Sequence, residues 1–530
     1  MGRPASARAA RVTSGEPASA PAELEHTEPA LTATRSVGWL VVALGFGVFF
    51  AGFDQTFVVT ILPDMLRDLG IPISQLGRAS WIVNGYLIGY AVALPLMGRI
   101  ADAWGRSRIY AAAVGVYILG SVGAALAPNL EVLTVARLVQ ALGGGAVVPI
   151  SMAIVADIVA PAWRPLGITV VAALDDASSL LGPLYASALV DPLGWRGLFW
   201  LSIPLQIPFL VAVLLLARDL PRNGHPSVDV IGGLLLTGGL TILAIALTDT
   251  SYERRAPALT AALLLGTFLL GGAFVARQAR LAAPLVRLGL LRARASAAAI
   301  GLYFVDGAAT ITALVTVPLM TNALWDGSPL DGGLNLMKMM IWMPVGSLAG
   351  GLLTRWVGYR PAAVASFSLV GLAYVWMWRW PEEPGWLALW GALFLLGFGI
   401  GLNDAPVIGS LLTVARAADR ATATALTQTS QTIGMIVGMA LLASQGLGRF
   451  DQRAADLFSR RGLDATATEY GDIMRRTFDE VFVVAAMVCF LAAVASLLLA
   501  RGRAAEVRWT PSVVDATGRP EDRPADPDAG

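Results

Sequence analysis

The segment GRIADAWGRSR, residues 98–108, decides the fold because a related segment recurs later in the chain. It follows a long apolar stretch, and GLLTRWVGYRP at 351–361 follows another. In each copy two glycines stand seven residues apart, and the first glycines, Gly98 and Gly351, are separated by 253 positions. Such a repeat indicates two similar halves, an arrangement common in membrane transporters. Chance recurrence of glycine and arginine at helix ends is the alternative interpretation.

The composition is typical of a chain surrounded by lipid. Of 530 residues, 56% are hydrophobic and 14% are charged, whereas an ordinary soluble domain carries about 25% charged residues. A net charge of +1 creates no global field that attracts nucleic acid. One cysteine, Cys489, and two histidines in polar segments exclude a disulfide framework and a zinc site within one chain. We therefore expect an all-α polytopic membrane protein that binds no metal.

Fourteen segments are apolar over about the 20 residues that a helix needs to cross a bilayer. The predicted spans lie near 38–62, 79–100, 107–127, 131–157, 165–190, 197–217, 229–248, 257–276, 295–321, 331–354, 361–380, 386–415, 420–447 and 477–501. Together with the repeat, this count predicts two six-helix bundles separated by an inserted pair of helices.

The spans divide the chain into domains and orient it in the membrane. The predicted units are a disordered tail at 1–36, an N-terminal bundle at 37–217, a linker at 218–228, the inserted helices at 229–276, a basic linker at 277–294, a C-terminal bundle at 295–503 and a disordered tail at 504–530. Arginines concentrate in the loops that follow alternate spans. By the positive-inside rule we expect both termini in the cytoplasm and the bundles in the inner (plasma) membrane.

Three motifs in the first half resemble signatures of the major facilitator superfamily. The segment 98–108 resembles the signature loop, and the run that begins at Arg137 in the fourth span resembles the second motif. Gly182-Pro183 in the fifth span resembles the antiporter motif. The match is partial, because Ala186 and Ser187 stand where drug exporters usually have a glycine pair. The resemblance implies the major facilitator fold and a secondary transporter without a cofactor, driven by the proton gradient.

Further motifs resemble one branch of that superfamily. Phe53-Asp54-Gln-Thr56 with Pro63 resembles the first-helix signature of the fourteen-helix drug:proton antiporters. Trp195-Arg196 and the run from Arg449 resemble the mycobacterial exporters of triacylglycerides and drugs. Those exporters act with a lipid-carrying lipoprotein outside the inner membrane, so the resemblance implies a lipid-export role and a periplasmic lipoprotein partner here.

Asp54 and Arg137 are the first candidates for proton coupling, because ionisable residues inside a bilayer are costly and mark functional sites. Asp54 stands nine residues before Pro63, about 13 Å from the outer end of its span. Arg137 lies about six residues, or about 9 Å, from the same side in the fourth span. An ion pair that protonation of Asp54 breaks is possible at these depths. A purely structural pair is the alternative.

Asp175 and Asp176 form a second acidic position near the middle of the fifth span. Neighbouring residues point about 100° apart on a helix, so one carboxylate faces the cavity and the other a neighbouring helix. Asp176 stands six residues before Gly182, where the lipid-exporter subgroup carries an acid, and we therefore favour Asp176 for proton coupling and Asp175 for the cavity. A hydrogen bond between helices is the alternative role.

Other polar residues within the spans are candidates for the cavity or for substrate binding. In the second half these are Asp306, Lys338 and Asp404. Lys338 and Asp306 fall in the outer halves of neighbouring spans and pair in one interpretation, while in another Lys338 reaches toward the lipid headgroups. In the first half, Asn84 and Gln140 are candidates, although buried amides more often serve helix packing.

The signature loop predicts a conformational latch between the halves. Asp102 and Arg106 resemble the family's latch, and the resemblance implies that an acid holds a helix N-terminus or a basic residue in one state. The other predicted latch residues are Gly98, Arg99, Gly105 and Arg108. Positive-inside anchoring is the alternative, and it explains the arginines but not the aspartate.

The outer segment 448–476 is longer than a plain loop and has helical patterning. We interpret it as extensions of spans thirteen and fourteen that guide a lipid or dock a partner, with a solvated excursion as the alternative. No nucleotide-binding GxxxxGK[ST] motif is present, which disfavours ATP-driven transport. The sequence thus predicts a proton-coupled exporter of lipids or other amphipathic molecules. A multidrug:proton antiporter without a lipid role, an importer and a non-transporting receptor are the alternatives.

Overall fold

The computed structural model describes ten stretches of the chain: 34–71, 76–159, 163–216, 229–248, 257–281, 284–325, 327–381, 384–414, 420–461 and 467–502. These stretches are helical and contain no β-strand. The predicted linker at 218–228 and nearly all of both predicted tails lie outside the described residues.

Seventeen α-helices occupy the described part of the chain. They are α1 Thr34–Thr60, α2 Leu62–Asp68, α3 Leu76–Trp104, α4 Arg106–Ala125, α5 Leu130–Ile158, α6 Arg164–Leu216, α7 Val230–Leu247, α8 Pro257–Arg280, α9 Arg294–Leu324, α10 Pro329–Met340, α11 Trp342–Val357, α12 Tyr359–Trp378, α13 Trp386–Leu402, α14 Asp404–Val414, α15 Arg420–Leu441, α16 Gly448–Arg461 and α17 Ala467–Ala495. A π-helical turn at Leu442–Leu447 joins α15 to α16.

Twelve described segments are long and apolar enough to cross a membrane. One of them, Val170–Leu216, has 47 residues, about 70 Å of helix and more than twice the hydrocarbon thickness. Gly194 interrupts it with φ 66° and ψ 164°, so two spans meet at this residue. Helix α15 is too polar to count among the twelve, yet it packs against α3 and α9 inside the bundle. The structure is therefore compatible with the fourteen predicted spans.

The sequence repeat is also a repeat of backbone conformation. Gly105 has φ +99° and Gly358 has φ +90°, in a region that side-chain-bearing residues avoid. Each glycine precedes a helix of 20 residues, α4 or α12. The two glycines are 253 positions apart, which is the offset seen in the sequence.

Exposed tryptophans lie at both ends of the bundle, where a membrane-spanning protein meets the lipid headgroups. We call the end that carries α2 the Asp68 face and the opposite end, where α4 begins, the Arg106 face. Trp39, Trp104, Trp163 and Trp356 are more than 60% exposed near the Arg106 face. Trp200, Trp378 and Trp386 are exposed near the Asp68 face. Between the faces α12 rises about 30 Å, the thickness of a hydrocarbon core.

Within the described residues, the two halves share an apolar core near the Asp68 face. We call α1–α6 the first half and α9–α17 the second. Val83, Leu87 and Ile88 of α3 pack in one cluster with Met435 and Met439 of α15. Toward the Arg106 face, α1, α4 and α5 form one core and α9, α12 and α14 form another. The halves are therefore joined at one face and have separate cores at the other.

The inserted segment forms a helical hairpin of α7 and α8, as predicted. Asp229 begins the hairpin and accepts hydrogen bonds from the Gly232 amide at 2.8 Å, Arg277 Nε at 2.7 Å and Gln278 Nε2 at 2.7 Å. Helix α7 packs on α3 and on α15, so it contacts both halves. Helix α8 packs on α7 and presents exposed apolar residues such as Phe268 outward.

The outer segment is helical, as predicted, over its described residues 448–461 and 467–476. Helix α15, the π-helical turn and α16 run without a break from Arg420 to Arg461, about 60 Å of helix against about 30 Å of hydrocarbon. Helix α17, which begins at Ala467, supplies the second helix of the outer segment. Arg449 and Arg453 contact Glu480 at 2.8 and 2.5 Å. These ion pairs hold the two extensions together as one arm.

Asp229→Asn should loosen the hairpin at neutral pH. Burial alone would raise the pKa of Asp229, but hydrogen bonds from Arg277, the Gly232 amide and Gln278 outweigh it and lower the pKa below the ordinary 3.8. The stabilisation is therefore present above the ordinary value and is lost only as pH falls through the lower, folded-state pKa.

We expect Asp229→Asn to lower the free energy of unfolding by about 1–3 kcal/mol at both pH 7 and pH 5, in thermal melts of detergent-solubilised protein. The exposed Asp456→Asn on α16 is the control. A variant as stable as wild type at pH 7 would contradict a stabilising role for this cluster.

Candidate functional site

The predicted pair of Asp54 and Arg137 exists and lies at the centre of a buried polar cluster. Asp54 on α1 and Arg137 on α5 are 0% and 1% exposed, and Asp54 Oδ1 is 3.7 Å from Arg137 Nη1. Arg137 Nη2 also donates to the main-chain oxygen of Asp54 at 2.8 Å. The pairing that the two depths allowed is therefore confirmed.

Gln140 connects the carboxylate to its surroundings. Its Nε2 donates to Asp54 Oδ2 at 2.7 Å and to Ser121 Oγ at 2.8 Å. Its Oε1 accepts from Arg137 Nη1 at 2.5 Å. Because Arg137 and Gln140 stand three residues apart on α5, both side chains reach the same side of the helix. Gln140, predicted for the cavity, instead belongs to the Asp54 cluster.

Aromatic rings cover the guanidinium. Arg137 Cζ lies 4.2 Å from the centre of the Tyr86 ring and 5.7 Å from that of Phe199. A cation over a ring face gains energy from the ring quadrupole where water is absent. Sequence reasoning named neither ring nor Ser121 for the site. For Tyr86 the only signal is its position ten residues into α3, about 15 Å deep and close to the depth of Asp54.

The two oxygens of the Asp54 carboxylate have different surroundings. Asp54 Oδ2 is held by Gln140, whereas Oδ1 lies in the ion pair and accepts no hydrogen bond within the described part of the chain. A proton on Oδ1 would neutralise the carboxylate and leave Arg137 held by the Asp54 carbonyl and Gln140. The guanidinium of Arg137 would therefore have different partners when Asp54 is ionised and when it is protonated.

The second acidic position is described only in part. Asp175 of α6 is half-buried and faces α1, since its Oδ1 lies 3.1 Å from the point where a Cβ on Gly52 would be. The side chain of Asp176 lies outside the described residues. The preference for Asp176 over Asp175 stays a prediction.

Asp306 of α9 is 3% exposed and accepts hydrogen bonds from two side-chain amides. Gln431 Nε2 donates to its Oδ2 at 2.9 Å and Asn403 Nδ2 to its Oδ1 at 3.3 Å. Asn403 stands at the break between α13 and α14. Asp404 begins α14 and accepts from the Tyr303 hydroxyl at 3.3 Å. The two predicted acids therefore meet at a broken helix, a feature that lines sites in transporters.

The predicted pairing of Lys338 with Asp306 is wrong. Lys338 Nζ donates to Asn335 Oδ1 at 2.6 Å and lies 5.7 Å from the centre of the Trp390 ring. The reason is the side of α10 on which Lys338 stands, because this side faces α13 rather than α9. Asn84, another predicted cavity residue, is fully buried, and neither atom of its amide has a hydrogen-bond partner in the described structure.

The Gly182-Pro183 motif lies at a close contact between helices. A Cβ on Gly182 would collide with the Thr56 side chain of α1. One turn further, a Cβ on Gly333 of α10 would come within 2.8 Å of the Pro183 main-chain oxygen and would collide with Ser187. The small residue that permits contact between the halves is therefore Gly333, on the partner helix, and not a glycine pair after Pro183.

The predicted latch residues contact the first half and the basic linker. Arg106 forms an ion pair with Asp157 at the end of α5 and donates to the Ala153 oxygen at 2.6 Å. Arg99 Nη2 donates to the Pro284 oxygen of the linker at 2.5 Å. The Asp102 side chain lies outside the described residues, so its predicted latch role stays a prediction. Sequence reasoning missed Asp157, an acid at the level where Arg106 begins α4.

Gly98, Gly105 and Arg108 form no ion pair within the described part of the chain. A Cβ on Gly98 would meet nothing within 4 Å, and Gly105 supplies the positive φ at the turn into α4. Arg108 is mostly exposed near that turn. Among the described residues no group of three or more His, Cys, Asp or Glu side chains is arranged to hold a metal ion.

The apolar helices and the charges buried between them define a multi-pass membrane protein, and its family and named relatives make it a transporter rather than an enzyme. The family model of the Major Facilitator Superfamily matches residues 44–439, about three quarters of the chain, and the chain therefore belongs to this superfamily.

Curated relatives carry a substrate in their names. The chain is 30% identical over 521 residues to a triacylglyceride transporter of Mycolicibacterium hassiacum, with 92% of this chain and 96% of the relative covered. It is also 30% identical to the triacylglyceride transporter of Mycobacterium tuberculosis H37Rv, with 88% and 93% covered.

Solved structures share the fold at lower identity. A bacterial homologue of the human lysosomal transporter Spinster, inward-facing and occupied, superposes with a TM-score of 0.62 at 13% identity, covering 87% of this chain and 96% of that one. An autoinhibited peptide transporter of the POT family gives 0.61 at 18% identity, covering 88% and 96%.

Arg137→Met should destabilise the protein strongly, because it leaves the Asp54 charge buried without a partner. Breaking a buried ion pair on one side costs about 3–5 kcal/mol, whereas removing both charges costs far less. We expect the double variant Asp54→Asn/Arg137→Met to recover much of this loss in equilibrium unfolding in mixed micelles. Strictly additive effects of the two substitutions would contradict the pairing.

Proposed function

We propose that this protein is a proton-coupled exporter of triacylglyceride-like lipids or other amphipathic molecules across the inner membrane, working by alternating access. The observation that carries the proposal is the Asp54 carboxylate, fully buried and paired with Arg137 between two helices of the first half. A buried charge is costly in hydrocarbon. Binding and release of a proton by Asp54 would account for its presence there.

The proposed coupling step is a change of charge at Asp54. In the ionised state the carboxylate holds Arg137 and accepts from Gln140. In the protonated state the ion pair is lost, so α1 and α5 are held together less strongly. Since α1 also packs against the Gly182 region of α6, this loosening can reach the contact between α6 and α10. Protonation is thereby linked to the opening of the Asp68 face.

The shared core supports an inward-open state. The positive-inside rule favours the cytoplasm at the Arg106 face, where Arg99, Arg106 and Arg108 lie. The two halves pack together at the Asp68 face and have separate cores at the Arg106 face. In this orientation both termini are cytoplasmic, and the arm of α16 and α17 projects into the periplasm.

A lipid substrate is supported by the relatives and by the arm. Both relatives reported above are named triacylglyceride transporters. The arm extends well beyond the hydrocarbon, and ion pairs of Arg449 and Arg453 with Glu480 join its two helices. We propose that it shields a lipid leaving the membrane or docks a periplasmic lipid-carrying lipoprotein. A multidrug:proton antiporter without a lipid role is the second candidate, since Asp54 and Gly182-Pro183 would serve it equally.

Asp54→Asn should abolish transport driven by a pH gradient, because the amide keeps the size of the side chain but binds no proton. The measurement is movement of a fluorescent triacylglyceride analogue and of ethidium in liposomes, with and without an imposed gradient. We expect both rates to fall to the level of protein-free liposomes. Asp191→Asn, an exposed acid of α6, is the matched control. Gradient-driven transport near the wild-type rate would refute the coupling role.

Replacing residues 452–470 by a glycine–serine segment of equal length should impair lipid transport more than ethidium transport. The arm is needed only by a substrate that water does not dissolve, whereas ethidium diffuses away unaided. The same liposome assay compares both substrates, and Glu480→Gln, which weakens the arm without removing it, should give an intermediate effect. Equal losses for lipid and dye would remove the basis for assigning the arm to lipids.

A further inference from the structure

Asp306 occupies the place in the second half that Asp54 occupies in the first. The two aspartates stand 252 positions apart, within one residue of the repeat offset that relates Gly105 to Gly358. Each lies inside the helix that begins its half, α1 or α9, and each is almost fully buried, at 0% and 3% exposure. The repeat thus brings a carboxyl group to corresponding positions of both halves.

The hydrogen bonds at the two positions are alike. Gln140 Nε2 donates to Asp54 Oδ2 at 2.7 Å, and Gln431 Nε2 donates to Asp306 Oδ2 at 2.9 Å. In both cases the glutamine belongs to another helix of the same half. A side-chain amide therefore orients each carboxyl group in a fixed direction.

The two positions differ in charge. Arg137 neutralises Asp54, but the contacts of Asp306 in the described structure include no arginine, lysine or histidine. The titratable groups that face Asp306 are Tyr303 on its own helix, Tyr374 on α12 and Cys489 on α17. Asp404 on α14 lies behind the Tyr303 hydroxyl. All of these groups are neutral or acidic, so an ionised Asp306 would have no counter-charge.

The side-chain amide of Asn403 is a hydrogen-bond partner for a protonated Asp306. Its Nδ2 donates to Asp306 Oδ1 at 3.3 Å, while its own Oδ1 is buried and accepts no hydrogen bond from any described residue. A buried acceptor without a donor is unfavourable. A carboxylic acid has a hydroxyl that a carboxylate lacks, so a protonated Asp306 could form the paired acid–amide hydrogen bonds with Asn403. This would satisfy the orphan oxygen at the break between α13 and α14.

We propose that Asp306 is a second proton-binding site and that it holds its proton as a neutral acid hydrogen-bonded to Asn403 in the state described. The proposal rests on the proposed function and adds a proton to it. Asp54 is ionised and paired in this state, while Asp306 is protonated. Movement of α14 against α13 would withdraw Asn403 and release the proton, so each half contributes one proton-carrying group to the cycle.

Infrared difference spectroscopy tests the site directly. The purified protein in lipid nanodiscs is titrated between pH 5 and pH 9, and the C=O stretching band of protonated carboxyl groups is followed in H₂O and D₂O. We expect a band that is lost in Asp306→Asn and retained in Asp54→Asn. Asn403→Ala should shift this band to the higher frequency of a carbonyl with fewer hydrogen bonds, which separates a specific pair from general burial. Sodium and choline buffers should give the same spectra.

The outcomes separate this proposal from the proposed function. Absence of any carboxylic band assigned to Asp306 throughout the titration would overturn the proposal, as would a band that sodium removes. Should Asp306→Asn fail to fold, Asp306→Glu must still move the band, and an unchanged spectrum would overturn the assignment. If liposomes that contain the wild-type protein transport substrate at the same rate with and without a pH gradient, the coupled mechanism is refuted. The infrared assignment of Asp306 would stay intact.

Discussion

The structure depends on keeping the charges of Asp54 and Arg137 within a bundle that lipid surrounds. Neither charge is tolerable alone at that depth, so each neighbour has a defined task. Gln140 orients the carboxylate, the Asp54 carbonyl holds the guanidinium, and the Tyr86 ring covers it. This requirement holds α1 against α5.

The two halves share a repeated backbone arrangement, but they accommodate their buried aspartates differently. The first half balances its buried acid with an arginine, while the second surrounds Asp306 with amides and breaks a helix beside it. A compensated charge and an uncompensated acid respond differently to a proton. Close contact of Gly333 with the Pro183 region joins the halves at the Asp68 face.

Much of the site could be predicted because hydrocarbon makes buried charges conspicuous. The depths of Asp54 and Arg137 along their helices were enough to pair them, since both positions follow from the helical rise alone. The same reasoning failed for Lys338 and Asp306, because depth does not say which side of a helix faces which neighbour. Ser121 and Tyr86 were not assigned to the site, because depth, the one signal that Tyr86 carries, does not identify the partners of a polar side chain in an apolar helix.

The sequence by itself determined that this is an all-α chain with many membrane spans and a twofold repeat. It also placed Asp54 in the first span and Asp175 and Asp176 near the middle of the fifth. Apolar length, helical periodicity and the recurrence of the glycine pair are properties of the sequence itself, and recognising them requires no knowledge of tertiary contacts. Only the tertiary structure decided the partners of Gln140, Lys338 and Asn403, the contact of α7 with both halves and the face at which the halves close. These depend on helix rotation and tilt, which arise from packing across residues far apart in the chain.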